Sequence, residues 1–189
     1  MTKISDDNRQ IARHMASAFG GQPAVRAYHH DHLELTIDIL SAADRPDEGF
    51  TSWGTIGLSD TPLTWGSGEF PTRIELCCAA RNDEEAFANV LASAAFNIMR
   101  SRMVCHPGLT MKGYVAEYFP GTALPHLYFT APFLWEDELG SLELPTKKVS
   151  WLLCFPISDA ESAWLEAHGE DAFESALEEA EADINEQLI

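Results

Sequence analysis

Basic residues are scarce. Twelve Lys and Arg stand against thirty Asp and Glu in 189 residues, a formal net charge of −18. That balance argues against nucleic acid as a ligand, because neutralising phosphates requires basic patches. It argues equally against anionic membrane surfaces. A basic protein, in contrast, would be drawn in by such a field. Long apolar runs are also missing: nothing approaches the roughly 18 residues that a membrane-spanning helix needs. The N-terminal stretch carries Asp6, Asp7 and Arg9 where a signal peptide would place its apolar run, so a cytoplasmic location is expected. Cysteine is sparse, and Cys77, Cys78, Cys105 and Cys154 form no Cys-x-x-Cys pair. They are expected to be small buried hydrophobes, with Cys77 and Cys78 on opposite faces of one strand. Phosphate-binding and dinucleotide-binding glycine loops are absent, as are zinc-protease and serine-hydrolase signatures. Gly66-Ser67-Gly68 is flanked too tightly to be a nucleophile elbow. No cofactor is expected.

What is present is an ordinary globular composition, 46% hydrophobic and 22% charged, of a length suited to one domain over residues 1–189. Ser5 followed by Asp6 and Asp7 marks a helix start, and Ile11, Met15 and either Ala18 or Phe19 share one face, predicting a helix over 6–19 that Gly20-Gly21 ends. Leu33 to Ile39 alternates cleanly and predicts a half-buried strand, with a second candidate at Ala24 to His30. Residues 41–48 carry turn chemistry. Gly49 to Asp60 reads as a strand in which Gly54 and Gly57 signal close backbone approach or a bulge. Residues 60–72 read as a loop, and Arg73 to Ala80 as a strand. Asn82 and Glu85 have capping-box spacing, ahead of a long helix over 83–102 with Phe87, Val90, Leu91, Ala94, Ala95 and Ile98 in one stripe. A short strand is expected at Tyr114 to Phe119 and another at Leu127 to Ala131. Val149 to Ile157 is nearly all apolar, as in a strand buried on both faces, and Pro156 should end its pairing. Ser158 and Glu161 form a second capping box, opening a short helix that Gly169 stops. A final helix carries Phe173, Leu177, Ala180, Ile184 and Leu188 on one side. The expected fold is a single layered α+β domain, with a mixed, mostly antiparallel sheet packed by the long helix and the C-terminal helices.

Candidate chemistry is thin. His29, His30 and His32 cluster, and in an extended segment His30 and His32 would share a face. Two or three ligands fall short of the four that zinc prefers, so they are weak metal candidates. Cys105, His106 and His126 are the components from which a thiol nucleophile and its base could be assembled, the base coming from elsewhere in the chain. Trp151 and Trp164 are expected in the core. Trp65 lies in a Gly- and Pro-rich loop, where an exposed indole would serve as a partner anchor. Phe70, His106 and Pro107 complete a candidate partner-binding set.

The ordered blocks resemble a known family. Gly49 to Asp60 ends in Thr-Ile-Gly-Leu-Ser-Asp, and is followed by the Arg73 to Ala80 strand and the long helix. Then come LYFTAPFLW (127–135), VSWLLCFPISDAE (149–161) and GEDAFESALEE (169–179). From about residue 24 to 185 this series is similar to the suppressor of fused domain family. The resemblance implies a layered domain without catalytic activity. Its animal member is a cytosolic adaptor that holds a transcription-factor peptide between two domains, and this chain resembles the N-terminal domain alone. The peptide-gripping residues find no clear match around Ala94 to Pro107. Bacterial single-domain relatives include immunity proteins, which implies a protein partner, here a basic toxin.

Overall fold

The computed structural model describes residues 4–179. Helix α1, Asp6–Phe19, begins as its sequence predicts: the Ser5 hydroxyl accepts from the Asn8 N–H at 3.0 Å, and Gly20 closes it at φ +71°. Strands β1 (Ala24–His29), β2 (Thr36–Ala43) and β3 (Phe50–Ile56) follow as an antiparallel meander. β2 starts and ends later than its alternation suggests. Residues 33–35 belong to the preceding turn, and part of the expected turn at 41–48 is strand. The ladder to β3 carries pairing on to Ala43↔Thr51, overriding local turn preference. The loop 60–72 contains a small hairpin, β4 (Thr64–Trp65) and β5 (Gly68–Glu69), before β6 (Thr72–Arg81).

Helix α2, Phe87–Ser101, starts later than expected. Asn82 caps no helix. Its side chain accepts from the Thr51 hydroxyl at 2.7 Å and donates to Asp44 at 2.8 Å, tying the end of β6 to the β2–β3 turn. The segment from Tyr114 to Phe119 is a series of turns, and the strand expected there is absent. Two short strands, β7 (Thr110–Met111) and β9 (Leu142–Glu143), flank the longer β8 (His126–Thr130) and β10 (Lys148–Ile157). Helices α3 (Asp159–His168) and α4 (Glu170–Glu179) close the described chain. The box at the start of α3 is complete, with Ser158 and Glu161 each bonding the other's backbone N–H. Leu177 lies at the end of the described segment, and Ala180, Ile184 and Leu188 lie outside it.

The sheet order is β1-β2-β3-β6-β10-β8-β7, with β9 on β10. Among the described residues only β6 and β10 pair in parallel. β10 is buried along nearly its whole length. Pro156 does not end its pairing: the ladder to β8 runs through Pro156↔Leu127 to Ile157↔His126. The parallel ladder to β6 stops at Leu153, so Pro156 lies beyond the edge where its missing N–H would have mattered.

Each face of the sheet has its own core. One holds Ile39, Trp53, Leu76, Cys78 and Cys154 against α2. The other holds Leu40, Cys77, Tyr128, Trp151 and Phe155 against α1, α3 and α4. Cys77 and Cys78 thus face opposite layers, and all four cysteines are buried and free. The expected core position of Trp164 is not observed. It is 37% exposed and stacks on His168, because Leu165 and Ser162 take the inward face of α3. Gly54 is where α1 meets the sheet: a Cβ there would lie 2.5 Å from Met15 Sδ and 3.3 Å from Phe19. Gly54→Ala is expected to destabilise the fold by about 1–3 kcal/mol, read by urea denaturation, through overpacking at this contact. Among the described residues no helix is long and apolar enough to cross a membrane.

Candidate partner-binding surface

The β4–β5 hairpin turns at Gly66-Ser67, with Gly66 at φ +58°. Its register sets Trp65 opposite Gly68, so no side chain shields the indole from across the pair. Trp65 is 64% exposed, the most exposed large hydrophobic side chain among the described residues. It is nonetheless held. Its ring lies 5.7 Å from Phe70, the Phe70 N–H donates to Leu63 O, and the Thr64 N–H donates to Arg102 O, both at 2.8 Å. Arg73 pairs with Glu69 at the hairpin base. Arg102 itself closes α2 in the left-handed region, its N–H bonded to Ile98 O at 2.7 Å. His106 and Pro107 are exposed on the loop that follows, which the Gly108 N–H pins to Phe129 O at 2.9 Å. The structure therefore joins Trp65 and Phe70 directly and sets His106 and Pro107 further along the chain leaving the same helix end. No hydrogen bond or ring contact links the two pairs among the described residues.

A groove runs beside α2, and the sequence reading missed it. Its first part, a cavity of about 350 Å³, has Ile39 and Trp53 as floor and Arg26, Tyr28, Asn82 and Glu85 as rim. Tyr28 also lines a second cavity of about 320 Å³, with His30, Asn89, Phe96 and Tyr118. Burial raises the Tyr28 phenol above its ordinary value, with Arg26 pulling the other way. Period-two alternation could have marked Arg26 and Tyr28 as sharing a face. The approach of α2 to that face is a tertiary fact.

Of the histidine cluster, His29 and His30 line this groove. His30 packs edge-on against Phe96 at 5.4 Å, and its Nδ1 accepts from the His32 N–H at 3.0 Å. Among the described residues no three His, Cys, Asp or Glu side chains are grouped as metal ligands.

The thiol candidate is not assembled either. Cys105 is buried, and burial pushes its thiol up to about 12, far from a ready thiolate. His126 Nδ1 accepts from the Gly113 N–H at 3.0 Å, so Nε2 carries the proton that it donates to Asp159 at 2.9 Å. His106 Nδ1 donates to Pro107 O at 2.5 Å. No hydrogen bond connects Cys105 to either ring. His126 ties β8 to the turn at Gly113 and to the start of α3, and Cys105 fills core.

The Ile-Gly-Leu-Ser-Asp block is built around a residue that went unnoticed in sequence. Glu75, fully buried on β6, accepts from the Thr55 hydroxyl at 2.6 Å and from the N–H groups of Gly57 at 2.9 Å, Leu58 at 3.3 Å and Ser59 at 3.0 Å. Burial raises its pKa above the ordinary value of 4.5, and these donors pull it back. Gly57 at φ +104° allows the chain to curl its amides onto the carboxylate. Asp60, at the end of the curl, accepts from Lys147 at 2.6 Å and from Asn8 at 3.0 Å. The block that carries the resemblance is therefore an anchor between β3, β6, α1 and the β9–β10 turn. Its signal in sequence is one acid between Ile74 and Leu76, in a run from Ile74 to Ala80 that is otherwise apolar.

The fold is shared with suppressor of fused proteins of known structure. A suppressor of fused homologue from Neisseria gonorrhoeae FA 1090 superposes with a TM-score of 0.72 over 95% of this chain and 92% of its own, at 14% identity. The Sufu–Fu complex superposes with a TM-score of 0.67 over 96% of this chain and 87% of that one, also at 14% identity. The chain belongs to the suppressor of fused family, whose model, "Suppressor of fused protein (SUFU)", matches residues 34–186. It is also 41% identical over 181 residues to Immunity protein YqcF of Bacillus subtilis (strain 168), covering 96% of this chain and 94% of that protein.

Proposed function

We propose that this chain is a single-domain, non-enzymatic immunity protein that forms a stoichiometric cytoplasmic complex with a basic toxin and so neutralises it. The observation that carries the reading is the 41% identity, over nearly the whole of both chains, to a protein named as an immunity protein. Two features support it. The net charge of −18 would speed encounter with a basic partner and disfavour acidic ones. Trp65, exposed on a braced hairpin, is the kind of aromatic anchor on which binding energy concentrates. Phe70 packs on the indole, and His106 and Pro107 are exposed on the loop that follows α2.

The test is co-expression. Cells making a candidate basic toxin should survive only when the chain is present, and the two proteins should co-purify in equal amounts. Affinity is expected to fall at least tenfold between about 50 mM and about 500 mM salt, as screening weakens charge attraction. Survival without a complex would overturn the neutralisation mechanism, and salt-independent binding would remove the basic-partner argument.

A further inference from the structure

The β1 edge of the sheet is open. Among the described residues β1 pairs with β2 alone, from Ala24↔Ser41 to His29↔Thr36. The next pair in this register is joined by the His30 N–H donating to Leu35 O at 3.0 Å. Hydrogen-bonded and non-bonded pairs alternate along an antiparallel ladder. Tyr28, Arg26 and Ala24 therefore direct their backbone groups to β2, while Val25, Ala27 and His29 direct theirs outward. Edge strands are commonly protected by lysine, proline, a bulge or brevity. Here the strand is six residues long, contains no proline, and carries no Lys or Arg at any of the three outward positions. Val25 is 52% exposed. The opposite edge, β7, has only two residues.

Charge selects the occupant. A second copy would bring −18 against −18, whereas a basic segment would be attracted. Ala27 stands directly opposite Asp38 on β2. The side chain of Ala27 is a single methyl, so a long basic side chain can reach over it. Asp38 is half-buried and forms no ion pair among the described residues. We infer that β1 accepts an extended, basic segment of the protein partner as an added strand. The segment pairs with the backbone of Val25, Ala27 and His29 and sets a Lys or Arg across Ala27 onto Asp38. This rests on the partner-binding reading above, and places a second contact of that complex away from Trp65.

The probe is a blocked heptapeptide of alternating Lys and Thr or Val, titrated into the isotopically labelled full chain and followed by amide NMR and hydrogen exchange. The amides of Val25, Ala27 and His29 should shift and gain about tenfold or more in exchange protection, while those of Arg26 and Tyr28, already bonded to β2, should not change. Ala27→Pro removes an outward donor without touching the β2 ladder, and should abolish the response. Asp38→Asn should weaken it several-fold. N-methylation of the peptide backbone along one edge only should abolish binding, and along the other should not, a control that needs no variant of the chain. Shifts spread over the acidic surface and unchanged in Ala27→Pro, or no response at about millimolar peptide, would overturn the inference. Its failure is separable from that of the immunity reading. Wild-type rescue of toxin-expressing cells with no peptide response sinks only the added strand, and a β1 response without rescue sinks only the immunity role.

Discussion

Replacing Glu75 with Ala is expected to cost about 3–5 kcal/mol of stability, because three backbone N–H groups and a hydroxyl lose a buried acceptor together. For a chain of this length that is a drop of about 10 °C or more in Tm. The damage should not stay local. Glu75 holds Gly57, Leu58 and Ser59, which present Asp60 to Lys147 and Asn8, so α1 and the β9–β10 turn loosen with the curl. Glu75→Gln separates shape from charge. It retains one acceptor oxygen and turns an NH₂ towards amide donors, and should recover only part of the loss. The pH dependence has a defined sign. Burial raises the folded pKa of Glu75 above 4.5, so the folded state holds the proton more tightly than the unfolded chain. Its contribution to stability therefore falls as pH rises from 4.5 through that raised value. The margin of wild type over Glu75→Gln should narrow across the same window in a series of urea melts. A melting curve unchanged in Glu75→Ala would show that the curl is held by its own turn and not by the carboxylate.

Trp65→Ala is expected to leave the Tm within about 1–2 °C of wild type, since the indole is mostly in water, and to weaken the toxin complex by about 2–3 kcal/mol, roughly 30- to 150-fold in Kd. Isothermal titration on the purified pair would measure it. Phe70→Ala should produce a smaller loss by releasing the ring that braces the indole at 5.7 Å. The two changes should be less than additive, because they act on one contact. Full affinity in Trp65→Ala would move the interface elsewhere, with the β1 edge and the α2 groove as the remaining surfaces.

The places where local pattern and structure part company have a common cause. Asn82 with Glu85 has the spacing of a capping box, yet Asn82 bonds to Thr51 and Asp44, which are adjacent only once the meander has formed. Ser158 with Glu161 has the same spacing and does cap its helix, because no such competitor is folded against it. Trp164 reads as lying on the core face of its helix, but Leu165 and Ser162 take the inward positions. Tyr114 to Phe119 has strand-like residues, yet its backbone bonds within itself, the Tyr118 and Phe119 N–H groups donating to Val115 O and the Glu117 N–H to Gly113 O, so it turns instead.

The sequence by itself determined the elements whose signal is periodic and local: α1 with its Ser5 cap, the buried run of β10, the apolar stripe of α2, and the opposed faces of Cys77 and Cys78. It also determined the acidic field and exposed Trp65 as a candidate, since composition and a Gly- and Pro-rich flank need no fold to be read. Only the tertiary structure decided that Glu75 is the acceptor for the Gly57 curl, that His30 packs on Phe96, that Cys105 is buried without a hydrogen bond to the His106 or His126 ring, and that β1 pairs with β2 alone among the described residues. Each of these depends on residues far apart in the chain meeting in space, and no period or spacing along one segment encodes which distant partner will arrive.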